Sequence, residues 1–224
     1  MPRAARAEAP AGRVRSFAPI AGRGATVLIL GSMPGAASLR AGRYYAHPRN
    51  LFWPILGALV GAGPVLPYRL RVRRLKAARV ALWDVLRSCA RPGSLDADIE
   101  RGSMESNDFA GFFAAHPGIV RVFFNGATAE RLFRRLVLPT LPQLRARCAR
   151  LPSTSPAHAA LTFEEKLMAW RAVTDALVPA PQANSRGAWG ASAPRRVPQG
   201  SARAATRARR SARGARSGPG SRSA

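Results

Sequence analysis

The chain has 224 residues, with 36 Lys and Arg against 11 Asp and Glu, for a formal net charge of +25. That length supports one well-buried domain, and no apolar run approaches the ~20 residues of a membrane span, which argues against a membrane protein. Cys89 and Cys148 have no Cys or His at ligand spacing, so a four-cysteine iron–sulfur cluster is excluded and buried thiols in a reducing compartment, the cytoplasm, are expected. Removing the ten arginines of residues 179–224 still leaves +15, and a field of that size points to a polyanionic partner such as nucleic acid.

Residues 1–15 read as a flexible Arg/Ala-rich lead-in, and Phe17 and Ile20 as edge contacts of a domain spanning 16–178. The aliphatic run ATVLIL predicts a first buried strand over 25–30, which stops at GSMPG (31–35). Segment 36–49 has no clear period. Its Arg40, Arg43, Tyr44, Tyr45 and Arg49 form a basic, aromatic loop, suited to guanidinium on phosphate and rings on bases, or else an ordinary solvated loop.

From Asn50 to Val60 the spacing of Leu51, Ile55, Leu56 and Leu59 predicts a helix packed on the sheet, capped near Asn50. YRLRVRRLK (68–76) is a short basic segment. ARVALWDV (78–85) is a second, central strand. A turn-rich stretch then leads to DFAGFFAAH, a short helix. GIVRVFFNG (118–126) and LRARCARLP (144–152) give the third and fourth strands, separated by the helical ATAERLFRRLV.

The last helix, LTFEEKLMAWRAVTDALV (161–178), should bury Leu167, Trp170, Val173 and Leu177. Strands alternating with helices predict a three-layer α/β/α sandwich around a central, mainly parallel four-stranded sheet. Residues 179–224, rich in Arg, Ser, Gly and Pro, read as a disordered basic tail that either adds phosphate contacts or is dispensable.

Three turns, GSMPG, FNG (124–126) and PSTSPAH (152–158), end strands of this sheet and therefore share one edge, where open parallel sheets place ligands. GSMPG lacks the spacing of a dinucleotide or phosphate loop, Ser32 is not in a GxSxG elbow, and the three histidines, His47, His116 and His158, form no ligand pair, so no metal is expected. Asn50 is either a helix cap or a group that holds water or a base. Asn125 either reads a base edge or pairs with Gly126 in a turn. Asp84 and the Asn107–Asp108 pair read as loop braces.

LILGSMPG, YYAHPRNLFW, LWDV, FNG and LPSTSPAHA, in this order, resemble the hypoxanthine-DNA (deoxyinosine) glycosylase family of the uracil-DNA glycosylase superfamily, over about residues 15–178. The resemblance implies a DNA-repair enzyme that flips a deaminated base out of the stack and hydrolyses its N-glycosidic bond, without metal or organic cofactor. Relatives carry Asp or Asn in the first motif; GSMPG has neither, so Asn50 is the expected catalytic group, assisted by His158. Gly31, Ser32, Met33, Pro34, Tyr45, Phe52 and Asn125 are expected to form the base pocket, with Tyr45 and Phe52 stacking on the base. Arg43, Arg49, Ser153, Thr154 and Ser155 are expected to meet DNA. A monomer acting on DNA with deaminated bases is expected. Removal of uracil or xanthine, or non-catalytic nucleic-acid binding, are the alternatives.

Overall fold

The structure is a computed structural model in which residues 12–93 and 95–177 are described; residues 1–11 of the expected lead-in and the whole expected tail lie outside that range. Of the remaining lead-in, Arg13–Arg15 are not free but form strand β1. The central sheet starts with β2 (Val27–Gly31), every residue of which is buried. Such a strand must be covered on both faces, and the chain supplies the covers from both directions.

After β2 come α1 (Ala36–Ala41), α2 (Phe52–Val60) and α3 (Tyr68–Ala77). The basic segment at 68–76 is thus a helix: only Leu75 is fully buried, so arginines on the solvent side obscured its periodicity. Helix α2 tolerates Pro54 because the first helical turn needs no donor there. It stops at Gly61, whose left-handed φ of 70° lets its N–H reach back to Gly57.

Strand β3 (Val80–Asp84) is again buried throughout, but it is the outer strand of the main sheet and not the expected central one; the antiparallel bridge from Ile20 to Leu82 covers its free side, which is why its run reads like that of a central strand. It runs directly into β4 (Leu86–Ala90). With β5 (Glu105–Ser106), β4 and β1 form a small antiparallel sheet in the order β1-β4-β5. The Glu105 carboxylate pins it by pairing with Arg13 and Arg87 and accepting from Ser88. Next follow α4 (Phe109–Ala115), β6 (Arg121–Asn125), α5 (Ala127–Leu132) and β7 (Arg147–Leu151). The expected final helix is two pieces, α6 (Phe163–Trp170) and α7 (Ala172–Asp175), with Trp170 and Val173 buried but Leu167 and Leu177 only partly so.

The main sheet has the order β3-β2-β6-β7 and all three pairings are parallel, as the strand–helix alternation predicted. Leu28 and Leu30 face a cluster that includes Phe109 of α4 and Leu132 of α5; Val27 and Ile29 face one that includes Ile55 of α2, Leu75 of α3 and Trp170 of α6. Alternation along one strand therefore builds both outer layers of the sandwich. Gly31 pairs in register with Asp84, and Asn125 with Leu151. These residues mark the carboxyl edge on which the three turns meet.

Candidate active site

The GSMPG turn is more enclosed than a ligand loop reached from solvent. Gly31, Ser32, Met33 and Pro34 are all buried. Three of their four carbonyls are occupied: Val85 N–H donates to Gly31 O at 2.9 Å, Leu86 N–H to Ser32 O at 3.1 Å, and the Arg91 guanidinium to Pro34 O at 2.6 Å. The Ser32 hydroxyl donates to Asp96 Oδ1 at 2.6 Å. Glycine is required at position 31, because a Cβ there would lie 2.4 Å from Asp84 Oδ1 and 3.0 Å from Tyr45 Oη.

Tyr45 therefore sits over the end of β2. Its φ of 53° is left-handed, a conformation that costs free energy in a bulky residue and tends to be kept where function needs it. The ring stacks on Phe52 with centroids 4.0 Å apart. Phe52 itself has no exposed surface and is boxed in edge-on by Trp53 and Trp170. The expectation that Phe52 stacks on a base is thus corrected: it supports the Tyr45 ring from within the core.

Asn125 and Thr154 also differ from expectation. Asn125 donates through Nδ2 to Tyr45 Oη (3.0 Å) and Thr154 Oγ1 (2.9 Å), and accepts at Oδ1 from Thr154 N–H (2.8 Å). With both amide protons engaged, it ties the strand end to two loops rather than offering a donor to a base. Thr154 is fully buried, so its hydroxyl is not a phosphate contact. Its carbonyl accepts from Leu51 N–H at 3.0 Å, which locks the PSTSPAH loop onto the start of α2.

Asn50 occupies that same junction. Its Oδ1 accepts from Phe52 N–H at 2.9 Å, the turn-stabilising role open to any Asn before a helix. This bond fixes the side chain while leaving a second lone pair on Oδ1 and the amide protons for other partners. Arg43 and Arg49 are exposed. Ser153 and Ser155 are half-buried and accept from Ser155 N–H and Ala157 N–H, which leaves their hydroxyl protons free to donate. His158 is exposed and lies beyond the clamped part of the loop; its carbonyl accepts from the ammonium of buried Lys166 at 2.6 Å. Burial lowers the pKa of Lys166.

Asp84 is the residue whose importance sequence reasoning understated. It is 3% exposed, and its Oδ2 is buried with no hydrogen-bond partner. Burial, reinforced by the nearby Asp96 charge and only partly opposed by Arg91, pushes its carboxyl up to about 8. Nε and Nη1 of buried Arg91 are likewise without partners. Asn107 does act as the expected brace, donating to Asp84 O and Leu86 O, and Asp108 caps α4. The signal for Asp84 was a lone carboxylate inside the apolar run ARVALWDV; for Arg91 there was none.

The sheet edge thus carries a closed Gly/Pro turn, a tyrosine with left-handed φ, a fixed asparagine and an exposed arginine-rich loop. Comparison with known proteins gives the family. The model of the "Uracil DNA glycosylase superfamily" matches residues 19–175. "Hypoxanthine DNA glycosylase" of Methanosarcina barkeri is 36% identical over 113 residues, covering 50% of this chain and 70% of the relative. Its counterpart from Methanosarcina acetivorans is 36% identical over 116 residues, covering 51% and 72%. A solution NMR structure of a candidate uracil DNA glycosylase from M. acetivorans superposes with a TM-score of 0.62 at 31% identity, over 74% of this chain and 98% of that one. The chain therefore belongs to the uracil DNA glycosylase superfamily and, within it, to the hypoxanthine-DNA glycosylase family. Among the described residues, no helix is long and apolar enough to cross a membrane.

Proposed function

We propose that the protein is a monofunctional DNA glycosylase that excises hypoxanthine, the product of adenine deamination, and leaves an abasic site. The observation that carries this reading is the junction at the start of α2, where Asn50 is fixed by Phe52 N–H and the flanking Leu51 N–H is held by Thr154 O. A group that positions water must be immobile, and this one is.

The target nucleotide leaves the stack and its base enters the sheet edge beside Tyr45, whose ring is stacked on Phe52. Asp84, held largely protonated near neutral pH, stands beneath as a donor without a partner. Asn50 Oδ1 accepts a hydrogen bond from the attacking water and directs its oxygen to C1′. The C1′–N9 bond breaks with its electron pair leaving on the base, the C1′–O bond forms, and the water proton passes to the departing base or to solvent. Placement matters more than base strength here, because the sugar is already electrophilic as the base departs.

His158 stabilises the charge on the leaving group or on a phosphate. Arg43, Arg49, Ser153 and Ser155 hold the strand by its phosphates. No lysine belongs to the motifs, and the Lys166 amine is held by the His158 carbonyl, so water rather than an amine is the nucleophile. Neither metal nor organic cofactor enters this reaction, and the protein acts as a cytoplasmic monomer.

The test is a set of oligonucleotide duplexes each carrying one inosine, uracil, xanthine or no lesion, treated with enzyme and then alkali to break abasic sites. Cleavage at inosine above the others is expected. Preferred cleavage at uracil or xanthine would replace the substrate, and salt-sensitive binding with no cleavage at any base would replace the enzyme by a nucleic-acid-binding protein.

A further inference from the structure

The segment Tyr44–Asn50 has two sides. One side faces the closed end of β2; the other lines a cavity of about 400 Å³ bounded by α2, α3 and the loop at Pro64. Its walls include Arg43, Arg71, His47, Asn50, Tyr68 and Trp53, and no Asp or Glu.

The polar groups of this cavity are biased towards donation. Arg71 is held rigidly: its Nε and Nη2 donate to Leu66 O (2.8 Å) and Pro64 O (2.6 Å), and its guanidinium lies 5.6 Å from the centroid of the Trp53 ring. That leaves Nη1. The Arg43 guanidinium lies 6.0 Å from the Tyr68 centroid. Tyr68 Oη accepts from Tyr44 N–H at 3.1 Å, so its own proton is available to another partner. His47 Nδ1 accepts from Arg49 N–H at 3.2 Å, which places the proton of the neutral ring on Nε2. Asn50 Oδ1 is engaged by Phe52 N–H, while its Nδ2 protons remain.

Two guanidinium groups thus share one concavity with no carboxylate to neutralise them. The ion pairs among the described residues all use Glu105 or Glu130, neither of which lines it. Burial and the neighbouring Arg43 charge both lower the proton affinity of Arg71. An unneutralised pair of this kind is stabilised by an anion, and donors arriving from several directions suit a phosphate with its several oxygens better than a planar carboxylate.

We propose that this cavity is a phosphate-ester site that receives a backbone phosphate of the DNA strand next to the extruded nucleotide. The location follows from Asn50, which belongs both to the cavity wall and to the junction assigned to the reaction at C1′; a nucleotide's own phosphate is one sugar away from that atom. The inference rests on DNA being the substrate, but not on which base is removed.

The experiment measures binding of the full chain to an undamaged and an inosine-containing duplex by fluorescence anisotropy across a salt series. Arg71→Met is the decisive variant, because Arg71 has no assigned DNA contact outside the cavity; Arg43→Gln accompanies it, since the Arg43 side chain makes no hydrogen bond within the described residues and its loss should not disturb folding. Arg71→Met retains packing on Trp53 and is checked for folding by circular dichroism. Arg121→Gln, at the amino end of β6 and so at the opposite edge of the sheet, is the control. Each cavity variant should lower the slope of log K against log salt by about 0.9 and weaken binding to both duplexes roughly tenfold, with no change for the control.

Equal slopes for wild type and a folded Arg71→Met protein would overturn the proposal, whatever Arg43→Gln does. Competition by inosine 5′-monophosphate or inorganic phosphate separates the two sources of a phosphate. Arg43- and Arg71-dependent quenching of Trp53 fluorescence by the free nucleotide, with the DNA slope unchanged, would make this a mononucleotide site instead. Because these readouts need no base release, a protein that binds as described yet excises nothing would refute the glycosylase reading and support the phosphate site.

Discussion

Replacing Asp84 by Asn removes an ionisable proton from the end of β3 while keeping the side chain's size. In the folded protein the carboxyl is pushed from its ordinary 3.8 up to about 8, chiefly by burial. The folded state therefore holds a proton that the unfolded chain releases near pH 4. Stability contributed by that proton is complete below about pH 4, falls as pH rises, and is gone once pH passes about 8. At 1.36 kcal/mol per pH unit the wild type should lose roughly 5 kcal/mol over that window, a large fraction of the stability of an ordinary domain. The Asn variant has no such titration. Urea unfolding of both proteins from pH 4 to 9 should show them similar at the acid end and the variant more stable by several kcal/mol above pH 8. A difference that stays constant across the range would refute the claim that Asp84 is neutral in the fold. Wild-type excision should also decline above pH 8, where Asp84 takes up its charge at the sheet edge.

Asn50→Ala should lower single-turnover release of hypoxanthine by at least about a hundredfold while duplex binding persists, since a misplaced water forfeits orientation; wild-type cleavage by this variant would sink the assignment. Gly31→Ala should lower the thermal midpoint and the excision rate together, because its Cβ would fall 2.4 Å from Asp84 Oδ1; pairing it with Asp84→Ala should restore part of the stability. Thr154→Val deletes the hydroxyl that accepts from Asn125 Nδ2 and should cost roughly 1–3 kcal/mol by denaturant unfolding, with the Ser→Ala changes at Ser153 and Ser155 costing less. Lys166→Met frees the His158 carbonyl and should raise the susceptibility of the 156–160 loop to proteolysis while leaving the fold intact, because methionine fills the same buried channel.

The strands and their parallel direction were legible in the sequence because they depend on local facts: the lengths of the runs VLILG, VALWD and RVFFN, and the glycines or turns that end them; their order was not, and β3 lies at the edge of the sheet instead of its centre. The Arg13–Arg15 strand was not legible, since three residues carry no period and their pairing is to Ser88–Ala90, far along the chain. Helix α3 was hidden by its arginines, and the bend at Arg171 leaves no mark in an amphipathic pattern.

For the site, the residues that gather at the carboxyl edge of the sheet can be read from the chain alone, because strand ends fix where turns must go. Which of them are spent and which remain free depends on the folded neighbours. Asn125 and Tyr45 lie 80 positions apart and Asn125 and Thr154 lie 29 apart, yet they satisfy one another. Phe52 is consumed by the core. Asp84, which looked like a brace, is left with a buried oxygen that nothing in the fold satisfies. Hydrogen-bond saturation and desolvation are properties of neighbours in space, and no spacing along the chain records them.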